Sequence, residues 1–191
     1  MIKLSFSKGS FFMRKICISL LFLFIIILTT GCNGVNTNRL AKDNAEFLRI
    51  HVRANSNSEE DQDIKYYIKD RIVSYLTPFI ANCHSKDDAA KVITQKRNTI
   101  EYLIDGILKE NGLDYSSHVF LRNEKFPTRV YDGITLSGGY YDAVIVELGK
   151  AEGENWWCVV YPPLCFTSGE NVKYSSKILE IINEFKRKFG L

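Results

Sequence analysis

Proline and methionine are scarce in this chain, four and two among 191 residues, and the 12 glycines follow no repeat. A collagen-like fibre is thereby excluded, and with 46% hydrophobic residues a disordered tail protein is excluded too. Long apolar runs are missing beyond the first thirty residues, so a polytopic membrane protein does not fit. Five cysteines, at 17, 32, 83, 158 and 165, are too few for a disulfide-dense scaffold. Charge of one sign is also missing. The formal +3 includes Lys3, Lys8, Arg14 and Lys15, with no acid in the first 31 residues; without those four, 21 basic residues face 22 acidic ones. A clustered positive footprint for nucleic acid is not expected.

Chemical motifs are equally sparse. His51, His84 and His118 stand far apart, with no HExxH and no paired CxxC, so no zinc site is expected. There is no GxSxG elbow, no GxxxxGK[ST] loop and no GxGxxG turn. Asp105-Gly106 and Asp132-Gly133 lack the intervening Ser or Thr of aspartic proteases. No cofactor, metal or small-molecule substrate is expected.

What is present begins with a leader. Arg14-Lys15 precede the apolar run Ile16 to Leu28, about the length of a signal-peptide core and short for a bilayer span. Thr29-Thr30-Gly31-Cys32 resembles a bacterial lipobox, in which Cys32 is lipidated and becomes the new N-terminus, although Thr29 stands where Leu is usual. Ordinary cleavage, lipidation and a retained anchor are the three outcomes this leader allows. We assign residues 1–31 to the leader, 32–45 to a polar flexible tether and 46–191 to a single domain.

The domain opens with a strand. Leu48, Ile50, Val52 and Ala54 alternate with Arg49, His51 and Arg53, which predicts one buried face and one basic outer face. Ser58-Glu-Glu-Asp61 and Ser85-Lys-Asp-Asp88 are capping-box spacings, each followed by an apolar stripe of helical period. The first helix is expected to run to about Phe79 and the second to Asn111-Gly112, as an antiparallel pair. Ser117–Arg122, Tyr141–Leu148 and Asn155–Tyr161 are strand-like, separated by glycines at hairpin distances. A last amphipathic helix spans about 171–189. The expected class is α+β: a two-layer domain with an N-terminal strand, an antiparallel helix pair, an antiparallel strand meander and a C-terminal helix.

Both tryptophans, two of the four prolines and two of the cysteines fall within Asn155-Trp-Trp-Cys-Val-Val-Tyr-Pro-Pro-Leu-Cys165. Together with Leu48–Gln62, Phe126-Pro-Thr128 and Gly139-Tyr-Tyr-Asp-Ala143, this segment resembles the stage II sporulation protein R family. The resemblance covers roughly Phe47 to Phe166. It departs at Ser137, where relatives tend to have Pro, at Asp132, and in the lipobox. It implies an exported signalling protein of endospore formation, made in the forespore and released into the space between the two sporangial membranes, tethered there if lipidated. Its implied partner is the membrane-embedded aspartic protease that processes the inactive sigma-E precursor in the mother cell. The chain itself would be no enzyme.

Trp156, Trp157, Pro162 and Pro163 are the first expected contact residues, and Arg49, His51, Arg53, Asn55 and Ser56 the second set. Because strand neighbours point to opposite faces, one tryptophan is expected inward and the other outward. Cys158 and Cys165 enclose the Pro-Pro turn and are either a disulfide or two small buried side chains. The rival class is an envelope lipoprotein enzyme, a cysteine-dependent hydrolase using Cys158 or Cys165 with His118 or His51. A substrate-binding importer lipoprotein fits poorly, since the residues after Cys32 are too few for two hinged lobes.

Overall fold

The computed structural model describes residues 39–41, 44–131, 133–166 and 172–190. The leader, Cys32 and residues 33–38 lie outside them. The strands are β1 (Arg39–Ala41), β2 (Leu48–Arg53), β3 (Ser117–Phe126), β4 (Arg129–Tyr131), β5 (Ile134–Leu136), β6 (Gly139–Leu148) and β7 (Asn155–Tyr161). The helices are α1 (Glu59–Ile80), α2 (Lys86–Glu110) and α3 (Val172–Phe189). Helix and strand segregate as the α+β expectation requires.

Both capping boxes start helices where the spacing places them. Ser58 Oγ accepts from the Asp61 N–H at 3.2 Å, and Ser85 Oγ accepts from the Asp88 N–H at 3.1 Å. Acids fill each first turn, where the helix dipole favours them. In α1, Ile64, Ile68, Ile72, Leu76 and Ile80 recur every fourth residue and are buried; α2 buries Ala89, Ile93, Ile100, Ile104, Ile107 and Leu108. Each of these Ile and Leu side chains contributes about 1.5–3 kcal/mol on burial. Gly112, at φ +75°, turns the chain out of α2 while the Leu113 N–H closes on the Leu108 carbonyl at 3.0 Å.

The main sheet has the order β3-β6-β2-β7, which corrects the expected plain meander. β2 inserts between β6 and β7, parallel to the first and antiparallel to the second, while β3 is antiparallel to β6. The insertion has a physical cause: both faces of β2 are covered, so the strand is stable only at the centre of the sheet. The β6–β7 connection crosses over the end of β2, where the Glu152 and Gly153 N–H groups donate to the Asn55 and Ala54 carbonyls at 3.2 and 2.9 Å.

A second, three-stranded sheet has the order β1-β5-β4, with β1 parallel to β5. Strand β1 lies within residues 32–45, and a 3-10 turn at Asn44–Glu46 spans the boundary set at 45/46. Strands of three residues are too short to show an alternation, so their pairing is decided by the tertiary edge that recruits them.

The helix pair lies on the sheet face carrying Leu48, Ile50 and Val52. The Ser117 N–H and Oγ donate to Asp105 of α2 at 2.7 and 2.8 Å, and the Lys69 ammonium of α1 sits 5.5 Å from the Trp156 ring on that side. Helix α3 closes one end, with Phe185 edge-on to Phe47 at 5.1 Å. Among the described residues, no helix is long and apolar enough to cross a membrane.

Candidate functional site

The opposite sheet face carries Arg49, His51 and Arg53, and its environment overturns the expected exposed basic face. Arg49 is 0% and His51 4% exposed. The Arg49 guanidinium lies 4.2 Å from the Phe126 ring, 4.9 Å from Tyr141 and 5.5 Å from Tyr131, and its Nη2 donates to the Tyr131 hydroxyl at 2.6 Å. Burial draws the Arg49 pKa down, opposed by those two tyrosines. Alternation identified the face but not its roof, because the three rings arrive from positions 77 to 92 residues later in the chain.

Beside this cage a charge network crosses the strands. His51 Nδ1 is 2.6 Å from Glu124 Oε1, and Arg53 donates to Glu124 and to Glu147, both at 2.8 Å. Arg122 bonds the same two carboxylates at 2.9 and 3.1 Å. Burial pushes Glu124 up, yet the His51 and Arg122 hydrogen bonds with the Arg53 charge hold it below the usual carboxylate range. Burial lowers the His51 pKa more than Asn155 and Glu124 raise it, so the ring is neutral near pH 7. Phe120, 37% exposed, lies on the same face under the Arg122 guanidinium at 5.5 Å.

The two tryptophans occupy opposite faces of β7, but neither is wholly in or out: both are half-buried. Trp156 faces α1. Trp157 stacks on His51, with ring centroids 5.3 Å apart and planes at 28°, and the Arg129 guanidinium lies 4.7 Å from the Trp157 ring centroid. An edge strand leaves large rings half-covered on either face, which a two-sided alternation rule does not anticipate. Pro162 and Pro163 are buried, correcting their assignment as surface contacts; the Tyr161–Pro162 peptide is cis. Cys158 and Cys165 are paired at disulfide distance, their Cα atoms 5.9 Å apart, and the Cys165 sulfur also lies 2.8 Å from the Val159 carbonyl oxygen.

Asn55 and Ser56 have an internal task. Both donate to Asp61 Oδ2, at 2.9 and 2.6 Å, while the Tyr115 hydroxyl donates to Oδ1 at 2.5 Å. Asn55 Oδ1 accepts from the Lys150 N–H at 3.0 Å, and Asn57 Oδ1 from the Glu154 N–H at 2.6 Å. The segment Asn55–Asn57 is thereby clasped between α1 and the β6–β7 connection. Gly153 fits this clasp because a Cβ there would stand 2.1 Å from the Ser56 carbonyl oxygen.

The hydrolase constellation does not assemble. Cys158 is paired with Cys165, His118 lies on β3 at the other edge of the sheet, and His51 is committed to Glu124. Cys83, buried beside His84 in a cavity of about 210 Å³, has its thiol pushed up to about 11 by burial and by Asp88, so it is protonated at neutral pH. Among the described residues no group of three His, Cys, Asp or Glu is placed to hold a metal ion.

Residue-by-residue reading of the sequence missed Glu124, Glu147, Arg122, Tyr131 and Tyr115, and gave Asp61 a capping role alone. Phe126 and Tyr141, two walls of the Arg49 cage, do lie in the Phe126–Thr128 and Gly139–Ala143 motifs. Those motifs and the Arg49 strand therefore meet in one place.

The family model described as stage II sporulation protein R matches residues 44–171. Stage II sporulation protein R of Bacillus subtilis (strain 168) is 34% identical over 129 residues, which is 66% of this chain and 58% of that relative. The chain thus spans less than two thirds of the length of the curated relative it matches. No solved structure matches. With the match running from the 3-10 turn before β2 to the segment after β7, and the four motifs all inside it, this chain belongs to the stage II sporulation protein R family.

Proposed function

We propose that this chain is an exported signal of endospore formation, which leaves the forespore and activates the membrane-embedded aspartic protease that processes the sigma-E precursor in the mother cell. The observation that carries the reading is the family match across residues 44–171. A ligand of this kind needs a stable exported fold and a recognition surface, and no catalytic group of its own. The sheet face around Trp157, Phe120, Arg122 and Arg53 is the surface we assign to that role: it combines a half-buried tryptophan, an exposed phenylalanine and fixed charges. Activation requires tighter binding to the active protease than to the inactive one, and a tenfold bias needs about 1.4 kcal/mol. The leader, with or without lipid on Cys32, places the domain outside the forespore membrane.

The test is co-expression with the protease and the sigma precursor in a non-sporulating host. Cleavage above the level without this chain is the expected result, and cleavage at that background level would remove the assignment.

A further inference from the structure

Strand β3 is 10 residues long and pairs on one side only, with β6. The Gly149 N–H donates to the Ser116 carbonyl at 2.9 Å, so Ser116 and every second residue after it turn their backbone groups toward β6. Ser117, Val119, Leu121, Asn123 and Lys125 therefore turn theirs outward. Helix α2 covers the first two: the Ser117 N–H donates to Asp105 at 2.7 Å and the Val119 N–H to Glu101 at 2.8 Å. From Leu121 to Lys125 no such cover exists among the described residues, and Arg122, Asn123 and Lys125 are exposed. At the other edge of the sheet the chain folds back against β7, with the Cys165 sulfur 2.8 Å from the Val159 carbonyl oxygen. A ladder left open in this way is a template for one more strand.

Which strand fits is set by the ends of the opening and by its charges. The opening runs between Val119, whose N–H is already taken by Glu101, and Pro127, which has no N–H. Its midpoint is Asn123. An antiparallel copy of the same strand, related by a two-fold axis through Asn123, places Val119 opposite Pro127 of the other copy. Pairing then stops where neither residue has an N–H to give. The same register places Arg122 opposite Glu124 and Leu121 opposite Lys125, each twice. Charges on an edge strand usually keep copies apart. Here opposite signs flank the axis, and unlike charges directly across a strand pair attract. Two separate features, the bounds of the open ladder and the order of its charges, thus select one self-complementary register.

We propose that the open edge of β3 is an interface between two copies of this chain, which join their main sheets antiparallel across Asn123. Leu121, Asn123 and Lys125 of each copy then exchange about six backbone hydrogen bonds. The axis stands perpendicular to the sheet, so the contact is isologous and the faces carrying Arg53 and Trp157 lie on the same side of the joined sheet. So short an edge makes a small interface, and the association is weak and concentration-dependent. The inference does not depend on the activator reading: either can fail while the other holds, because this one is read from mass and that one from precursor cleavage.

Sedimentation equilibrium of the purified exported chain tests it, with the melting temperature of each variant measured alongside. The parent is expected to move from the monomer mass toward twice that mass as its concentration rises to about 1 mM. Asn123→Pro removes the donors at the axis without touching a bond to β6, and is expected to stay monomeric throughout. Arg122→Glu sets like charges opposite each other at both ion-pair positions and is expected to raise the dissociation constant at least about tenfold. A parent that stays monomeric at about 1 mM overturns the proposal and leaves the edge to a strand of another protein. A folded Asn123→Pro that dimerises like the parent overturns it too, as does a folded Arg122→Glu with the parent's dissociation constant. If Asn123→Pro does not fold, Arg122→Glu decides alone.

Discussion

Asp61 is the residue whose removal should cost this fold most for the fewest atoms changed. Its side chain accepts from Asn55, Ser56 and Tyr115, and it lies in the first turn of α1. In Asp61→Ala those three donors lose their acceptor; counting about 1 kcal/mol for each, because Ser56 and Tyr115 are only half-buried, the loss is about 3 kcal/mol. Removing a negative charge from a helix N-terminus adds about 0.5 kcal/mol. For a domain of this size, that sum lowers the melting temperature by about 7–14 °C. Tyr115→Phe alone should cost about 1 kcal/mol, and a double-mutant cycle should return a coupling of about 1 kcal/mol between the two positions.

The same group supplies a pH signature. Burial raises the Asp61 pKa, but the hydrogen bonds from Ser56, Tyr115, Asn55 and Ser58 outweigh it and hold the carboxyl below its ordinary 3.8. Between the folded and unfolded values the unfolded chain binds the extra proton, so this stability is complete above the unfolded pKa. It is lost as pH falls from 3.8 through the folded value. The gap between parent and Asp61→Ala in denaturant titrations should therefore close on acidification below about pH 4. An Asp61→Ala protein within about 0.5 kcal/mol of the parent at pH 7 would refute the clasp as a source of stability.

Other consequences are more local. Gly153→Ala should destabilise by about 2–4 kcal/mol, because its Cβ would meet a backbone oxygen that cannot move without breaking the clasp; thermal unfolding measures it. Reducing Cys158 and Cys165, or replacing both by Ser, should cost about 2.5 kcal/mol from the short loop they close. Alkylation of both thiols before reduction, read by mass spectrometry, would contradict the bridge. Trp157→Ala should lose about 1–2 kcal/mol of stability with its stacking on His51 and lower precursor cleavage. Full cleavage by Trp156→Ala and Trp157→Ala at matched protein levels would remove the tryptophans from the contact surface.

Local signals in the chain located most of the framework. Ser58 and Ser85 mark helix starts because capping is a three-residue event, and Gly112 marks a helix end for a similar reason. The β2 alternation gave the strand and its two faces. It could not give the position of β2 in the sheet, since parallel pairing with β6 joins residues more than ninety positions apart. Arg49 and His51 were misjudged for the same cause: polarity predicts solvent unless distant rings and a distant carboxylate supply a substitute. The strands β1, β4 and β5 are too short for any periodicity, so the Tyr131 contact to Arg49 was not legible. Pro162 and Pro163 read as a turn at the surface, whereas the chain after β7 folds back and buries them. For the candidate site, the motifs converge on one region of the fold, and the contacts its residues make came only with the fold.

The central claim is that this chain switches a protease on. Its most direct measurement is sigma-precursor cleavage in a non-sporulating host carrying the protease, with and without the exported chain. Cleavage that rises with the amount of exported chain, and that stays at background without it, is the expected result. Precursor that stays uncleaved in the presence of folded, exported parent chain would contradict it.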